Sequence, residues 1–191
     1  MEKITLVLCH LGQAFAPSTL LISVALPNVK EINIDYCKDL VELPLGICKL
    51  TKLKTLRITN CHNLVAIRPE MWRLKNLEEL TLSSCIGLAE LPETIGSLEN
   101  LRTLDISECA DVRTLPEEIG ELRNLRKIQM MGCSRNCHLP DSIQNLDCLE
   151  EVGCDEETAV LWEPFGHVLK NLKIKVHKED INLNWLHGGQ F

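Results

Sequence analysis

The sequence predicts an α/β solenoid, with a concave parallel β-sheet on one side and short helical or 3-10 turns on the other. Three observations predict it. Apolar residues recur at fixed offsets with a period of 24 residues. A proline closes the extended part of nearly every period. Hydrophobic residues make up 45% of the 191-residue chain but aromatics only 4%, which suits a core of stacked aliphatic layers.

The repeating part spans residues 29–148, in five blocks that open at Val29, Leu53, Leu77, Leu101 and Leu125. At offset +3 stand Ile32, Leu56, Leu80, Leu104 and Ile128, and at +5 Ile34, Ile58, Leu82, Ile106 and Met130. These two columns share one face of a short strand, because strand side chains alternate. Cys37, Cys61, Cys85, Cys109 and Cys133 occupy +8. Leu40, Leu64, Leu88 and Val112 hold +11, where Asn136 breaks the pattern. Leu43, Ile67, Leu91, Leu115 and Leu139 hold +14. Pro44, Pro92, Pro116 and Pro140 follow at +15, and Pro69 is slipped by one. Proline there ends the strand-like run and starts a turn. Ile47, Met71, Ile95, Ile119 and Ile143 (+18) and Leu50, Leu74, Leu98, Leu122 and Leu146 (+21) then lie on one face of that turn and pack back on the strands. The consensus is that of a leucine-rich repeat. One such unit cannot bury its apolar face alone, so the units must stack.

The flanks follow the same columns less well. In residues 1–28, Ile4, Leu6 and Cys9 fit +3, +5 and +8 of an irregular first unit, while Gln13–Ala25 does not fit. Ile4 and Leu6 stand at an open end, so further repeats or another domain are expected upstream in a natural parent. In residues 149–191, a degenerate last repeat and cap, Val152 and Cys154 fit +3 and +5 but Glu157 takes the +8 slot. Asp155–Val168 reads as a short helix or irregular crossover limited by Pro164, and Leu172–Val176 as the last strand, with Lys173 and Lys175 discouraging edge pairing. About seven strands are expected in all.

Several functions are disfavoured. A net charge of −7 suits neither nucleic acid nor an anionic membrane as direct partner. Apolar runs are too short to span a bilayer, and the N-terminus lacks a secretory h-region, so the chain reads as intracellular and cytoplasmic. No Gly-Lys dipeptide occurs, so a nucleotide P-loop is absent, and no hydrolase, zincin or kinase signature is present. Neither an enzymatic function nor a bound cofactor is expected of this chain.

The ladder of Cys9, Cys37, Cys61, Cys85, Cys109 and Cys133 is read as structural, each thiol filling an inward slot after the strand and meeting a backbone carbonyl. Adjacent-rung disulfides are disfavoured in a reducing compartment. A zinc reading centres on Cys133, Cys137, His138, Cys148 and Cys154, and a metal- or redox-regulated one on the first four; only Cys137 and His138 lack a core assignment. Cys48 is expected half-exposed on the convex side. The convex carboxylates, Glu118 among them, are read as a solvated acidic face. The candidate docking surface is the outward face of the sheet: Glu31, Asn33, Asp35, Arg57, Glu79, Asp105, Lys127, Gln129 and Met131, with Tyr36 on the rim. Whether this face binds a protein, or is solvated while contacts lie elsewhere, stays open at this point.

The cysteine-bearing repeat with its L-P-x-x-I half resembles the arrays of plant intracellular immune receptors. Cys154–Ala159, Trp162-Glu163 and Ile181–Leu186, with Ile4–Cys9 near the start, are similar to the repeat domain of the helper nucleotide-binding class, the Activated Disease Resistance group. The resemblance implies a protein-interaction and autoregulatory role in defense. It implies lipase-like signalling heterodimers and the nucleotide-binding domain of its own parent as partners. ADP or ATP would belong to that separate domain, and full-length relatives would also act at the plasma membrane. A free-standing repeat scaffold, or a truncated decoy, is the alternative.

Overall fold

A computed structural model describes residues 2–7, 26–133 and 137–177. Among them, eight strands form one parallel sheet whose spatial order follows chain order. They are β1 (Lys3–Val7), β2 (Glu31–Asp35), β3 (Thr55–Thr59), β4 (Glu79–Thr81), β5 (Thr103–Asp105), β6 (Lys127–Gln129), β7 (Glu151–Cys154) and β8 (Lys173–Val176). The count exceeds the seven expected, because both flanking units, β1 and β8, pair in full register with their neighbours. From β2 to β7 every partner lies 24 positions on: Ile32 beside Leu56, Leu56 beside Leu80, Leu80 beside Leu104, Leu104 beside Ile128, Ile128 beside Val152.

The convex side carries one short turn per repeat. The first is a four-residue α-helix, α1 (Leu45–Cys48), and the next four are 3-10 turns at 69–73, 93–97, 117–121 and 141–145. Pro44, Pro92, Pro116 and Pro140 each stand just before their turn in extended conformation, with φ of −63 to −71°. There the fixed φ costs nothing and no strand donor is lost. Pro69 instead opens its turn, and Arg68 takes the extended place before it.

One core lies between sheet and turns. The columns at 0, +3, +5, +8, +11, +18 and +21 are buried throughout the five blocks wherever they are described. It is closed at the C-terminal side by α2 (Glu156–Ala159) and a 3-10 turn at 160–165. The fully buried Trp162 donates its indole N–H to the Met130 sulfur at 3.1 Å, and Phe165 meets its edge.

Three expectations need correction. Cys48 is fully buried, because the turn of the next repeat lies over it; Gly96 and Gly120, at the same offset, are buried too. A Cβ on Gly120 would stand 2.4 Å from the Ser142 carbonyl oxygen, so these turns pack too closely to leave the position open. Cys137 belongs to the core, 1% exposed, one place after the broken +11 position. The last strand starts at Lys173, with Leu172 half-buried ahead of it, and Val176 is 43% exposed on that edge strand. Cys9 and Ile181–Leu186 lie outside the described residues.

Candidate protein-docking surface

Every second residue of a strand faces away from the core. Across β2–β6 this rule brings Glu31, Asn33, Asp35, Arg57, Glu79, Asp105, Lys127 and Gln129 onto one face, with Met131 just past β6. Four strand spacings make that patch about 20 Å long. Its middle is floored by short hydroxyl side chains, Thr55, Thr81, Thr103 and Ser83, so charged groups stand along a shallow surface. Arg57 is the exposed member; the others are half-buried by their neighbours on adjacent rungs.

Charges on this face answer one another across rungs. Lys3 pairs with Glu31 at 2.7 Å, Arg57 with Glu79 at 2.8 Å and Lys127 with Glu151 at 2.8 Å. Lys175 reaches the second oxygen of Glu151. These two lysines, Lys127 first, hold the Glu151 carboxyl down at about 2. Hydrogen bonds from Lys3 and then Asn33 likewise lower Glu31. Beside them, Lys54 pairs with Glu78 at 2.6 Å and Arg126 with Glu150 at 2.9 Å. Exposed pairs of this kind each contribute little to stability, but they fix where charge sits. Asp35 accepts from the Thr59 hydroxyl at 2.7 Å and the Asn60 amide at 2.8 Å, and Asp105 from the Ser107 N–H at 2.9 Å. The Oδ1 of Asn33 is buried and has no hydrogen-bond partner.

The rim is set by backbone. Tyr36, Asn60, Ser84, Glu108 and Gly132 occupy the same offset in five blocks, all with φ between 53 and 63°. In the first four, the N–H of this left-handed residue donates to the carbonyl of the next rung: Thr59, Ser83, Ser107 and Met131. At Gly132 the Asp155 carboxylate takes the carbonyl's place at 2.8 Å, and the same side chain caps α2 through the Thr158 N–H at 2.7 Å. Tyr36 is 46% exposed on this rim beside Asp35.

The cysteines at +8 lie under the rim. The Cys109 thiol donates to the Leu82 carbonyl at 2.9 Å, Cys133 to Ile106 at 3.2 Å and Cys85 to Ile58 at 3.6 Å. Burial pushes Cys61 and Cys85 up to about 12 and Cys109 to about 11, so they are neutral thiols at physiological pH. The residues of the zinc reading are parted: Cys133, Cys137 and Cys154 are buried in the core, while His138 and Cys148 are exposed.

Two regularities escaped the sequence reading. Asn76, Asn100 and Asn124 each donate a side-chain amide to the preceding repeat, at 2.8 Å to Thr51, Lys75 and Glu99 carbonyls. The signal was an asparagine just before the leucine that opens a block. The left-handed column was signalled only by Asn60 and Gly132, residue types that tolerate positive φ.

A model of the leucine-rich repeat region matches residues 80–184. The chain belongs to the leucine-rich repeat family. Two proteins of Arabidopsis thaliana described as disease resistance proteins resemble short stretches of it. One is 38% identical over 53 residues, which is 28% of this chain and 8% of the relative. The other is 46% identical over 54 residues, again 28% of this chain, and 7% of the relative. The chain thus spans under a tenth of the length of these relatives. Among solved structures, the leucine-rich repeat domain of the type III effector XopL superposes with a TM-score of 0.58 at 32% identity. That match covers 62% of this chain and 40% of the effector domain's chain. No helix among the described residues is long and apolar enough to cross a membrane.

Proposed function

We propose that this leucine-rich repeat chain is the protein-interaction and autoregulatory part of a plant intracellular disease-resistance protein of the helper nucleotide-binding class. The observation that carries the reading is the outward face of β2–β6: a continuous, polar, side-chain-ordered surface about 20 Å long, of the kind repeat solenoids offer to protein partners. Similarity to plant disease resistance proteins supports the setting. Its partners are lipase-like signalling heterodimers and the nucleotide-binding domain of its own parent, and it works in the cytoplasm without catalysis. On this reading Arg57 and Asp105 offer opposite charges two rungs apart.

The test is direct. The chain is immobilised, and a lipase-like heterodimer and a helper receptor's nucleotide-binding domain are passed over it. Saturable binding of either, weakened at least tenfold by Arg57→Ala with Asp105→Ala, is expected. Absence of binding to both, or binding indifferent to the double change, rejects the reading.

A further inference from the structure

We propose that the flank of the second and third repeats is a second docking site, built for an extended basic peptide segment of a partner protein.

Between the cysteine loop and the convex turn, each repeat runs along one flank of the solenoid. A narrow backbone ladder joins the first repeat to the second there, and the fourth to the fifth. Between the first two repeats, Val65 N–H donates to Val41 at 2.9 Å and Leu43 N–H to Ala66 at 3.4 Å, with Glu42 bridged to Ala66. Between the fourth and fifth, His138 N–H donates to Arg113 at 2.7 Å and Leu115 N–H to His138 at 3.2 Å, with Thr114 bridged to His138. In the third repeat the ladder stops. Residues 89–91 make no backbone hydrogen bond to 65–67 on one side or to 113–115 on the other.

At that interruption lies a groove of about 550 Å³. Its floor is the buried pair Ile67 and Leu91. Its polar walls are Glu42, Glu90 and Glu93. The slipped proline of the second repeat bears on this charge. With Pro69 inside the turn, Arg68 stands where the other repeats have proline, and its guanidinium is spent on Glu42 at 2.5 Å. Glu90 and Glu93 pair with no described cation. Arg113, exposed one rung on, ends the anionic stretch.

An extended segment is the occupant this geometry fits. It would run across the rungs and offer backbone donors and acceptors to the unpaired groups of residues 89–91. Alternate side chains would lie over Ile67 and Leu91, and basic ones would meet Glu90 and Glu93. The net charge of −7 would draw a cationic segment in.

The probe is a fluorescein-labelled ten-residue peptide of alternating arginine and valine, titrated against the full chain by anisotropy. Saturable binding is expected, and the Glu90→Lys, Glu93→Lys double variant should weaken it at least tenfold with an unchanged circular dichroism spectrum. Glu163→Lys, equal in charge per site but on the C-terminal turn, should alter it less than twofold. Amide shifts on titration should concentrate at Ala66, Ile67, Ala89 and Leu91. No saturable binding overturns the proposal. So does a loss with Glu163→Lys half as large, on a logarithmic scale, as that of the double variant, which would mean attraction to net charge alone. Shifts confined to β3–β5 would also overturn it and leave the concave reading intact.

Discussion

At Gly132 a left-handed backbone and a crowded neighbour coincide. Its φ is +63°, and an added Cβ would sit 2.4 Å from the Glu108 carboxylate. The carboxylate can swing away, but the backbone cannot relax. Gly132→Ala should therefore destabilise by about 1–2 kcal/mol, measured as a lowered urea midpoint. Glu151 gives a second residue-scale expectation, this one in pH. Its folded carboxyl is held near 2 against an ordinary 4.5, so its contribution is present above 4.5 and is lost as pH falls toward 2. The carboxyl is half-buried but its lysine partners are exposed, so the effect is small and screened by salt. Glu151→Gln should flatten the acid side of the stability profile between those values, measured by urea denaturation across pH at low ionic strength; an unchanged profile would deny the shared pairing with Lys127 and Lys175.

At the scale of the element, the asparagine ladder and the convex turns tie one repeat to the next. Cys148 stands where Asn76, Asn100 and Asn124 stand in earlier blocks, and it is the exposed thiol among the described cysteines. Cys148→Asn should extend the ladder by one hydrogen bond and stabilise by about 0.5–1.5 kcal/mol, seen as a raised urea midpoint. Gly120→Ala should do the opposite. Its Cβ would meet the Ser142 backbone rather than a movable side-chain end, and overpacking of this kind costs about 1–3 kcal/mol. These elements also mark how far the sequence could be read. The strand and turn columns were legible because each offset repeats an apolar residue with one structural duty, as Leu56, Leu80 and Leu104 show. Cys48 was not, because its burial depends on how tightly the next turn lies over it, which no single offset encodes. Cys137 was missed because Asn136 hides a shift by one place. Alternation placed Arg57, Glu79 and Asp105 on the outward face. It gave no hint of the flank groove, which arises where a ladder between repeats fails to form.

For the whole molecule, the core is one continuous stack, so a central vacancy has no free surface to collapse toward. Leu104, fully buried in β5, pairs with Leu80 on one side and Ile128 on the other. Leu104→Ala should cost about 2–5 kcal/mol, while Glu118→Ala on the convex side should stay within about 0.5 kcal/mol. Denaturation of both variants measures the difference, and equal small effects would refute the assignment of columns to core and surface. The order of the eight strands has a mechanical consequence as well. Each rung is held only by the rung before and the rung after it, in chain order. A molecule stretched between its ends in an optical trap would come apart as a zip does, tooth by tooth. Each repeat of 24 residues would release about 80 Å of slack chain. Tension, rather than heat, would then count the repeats one at a time.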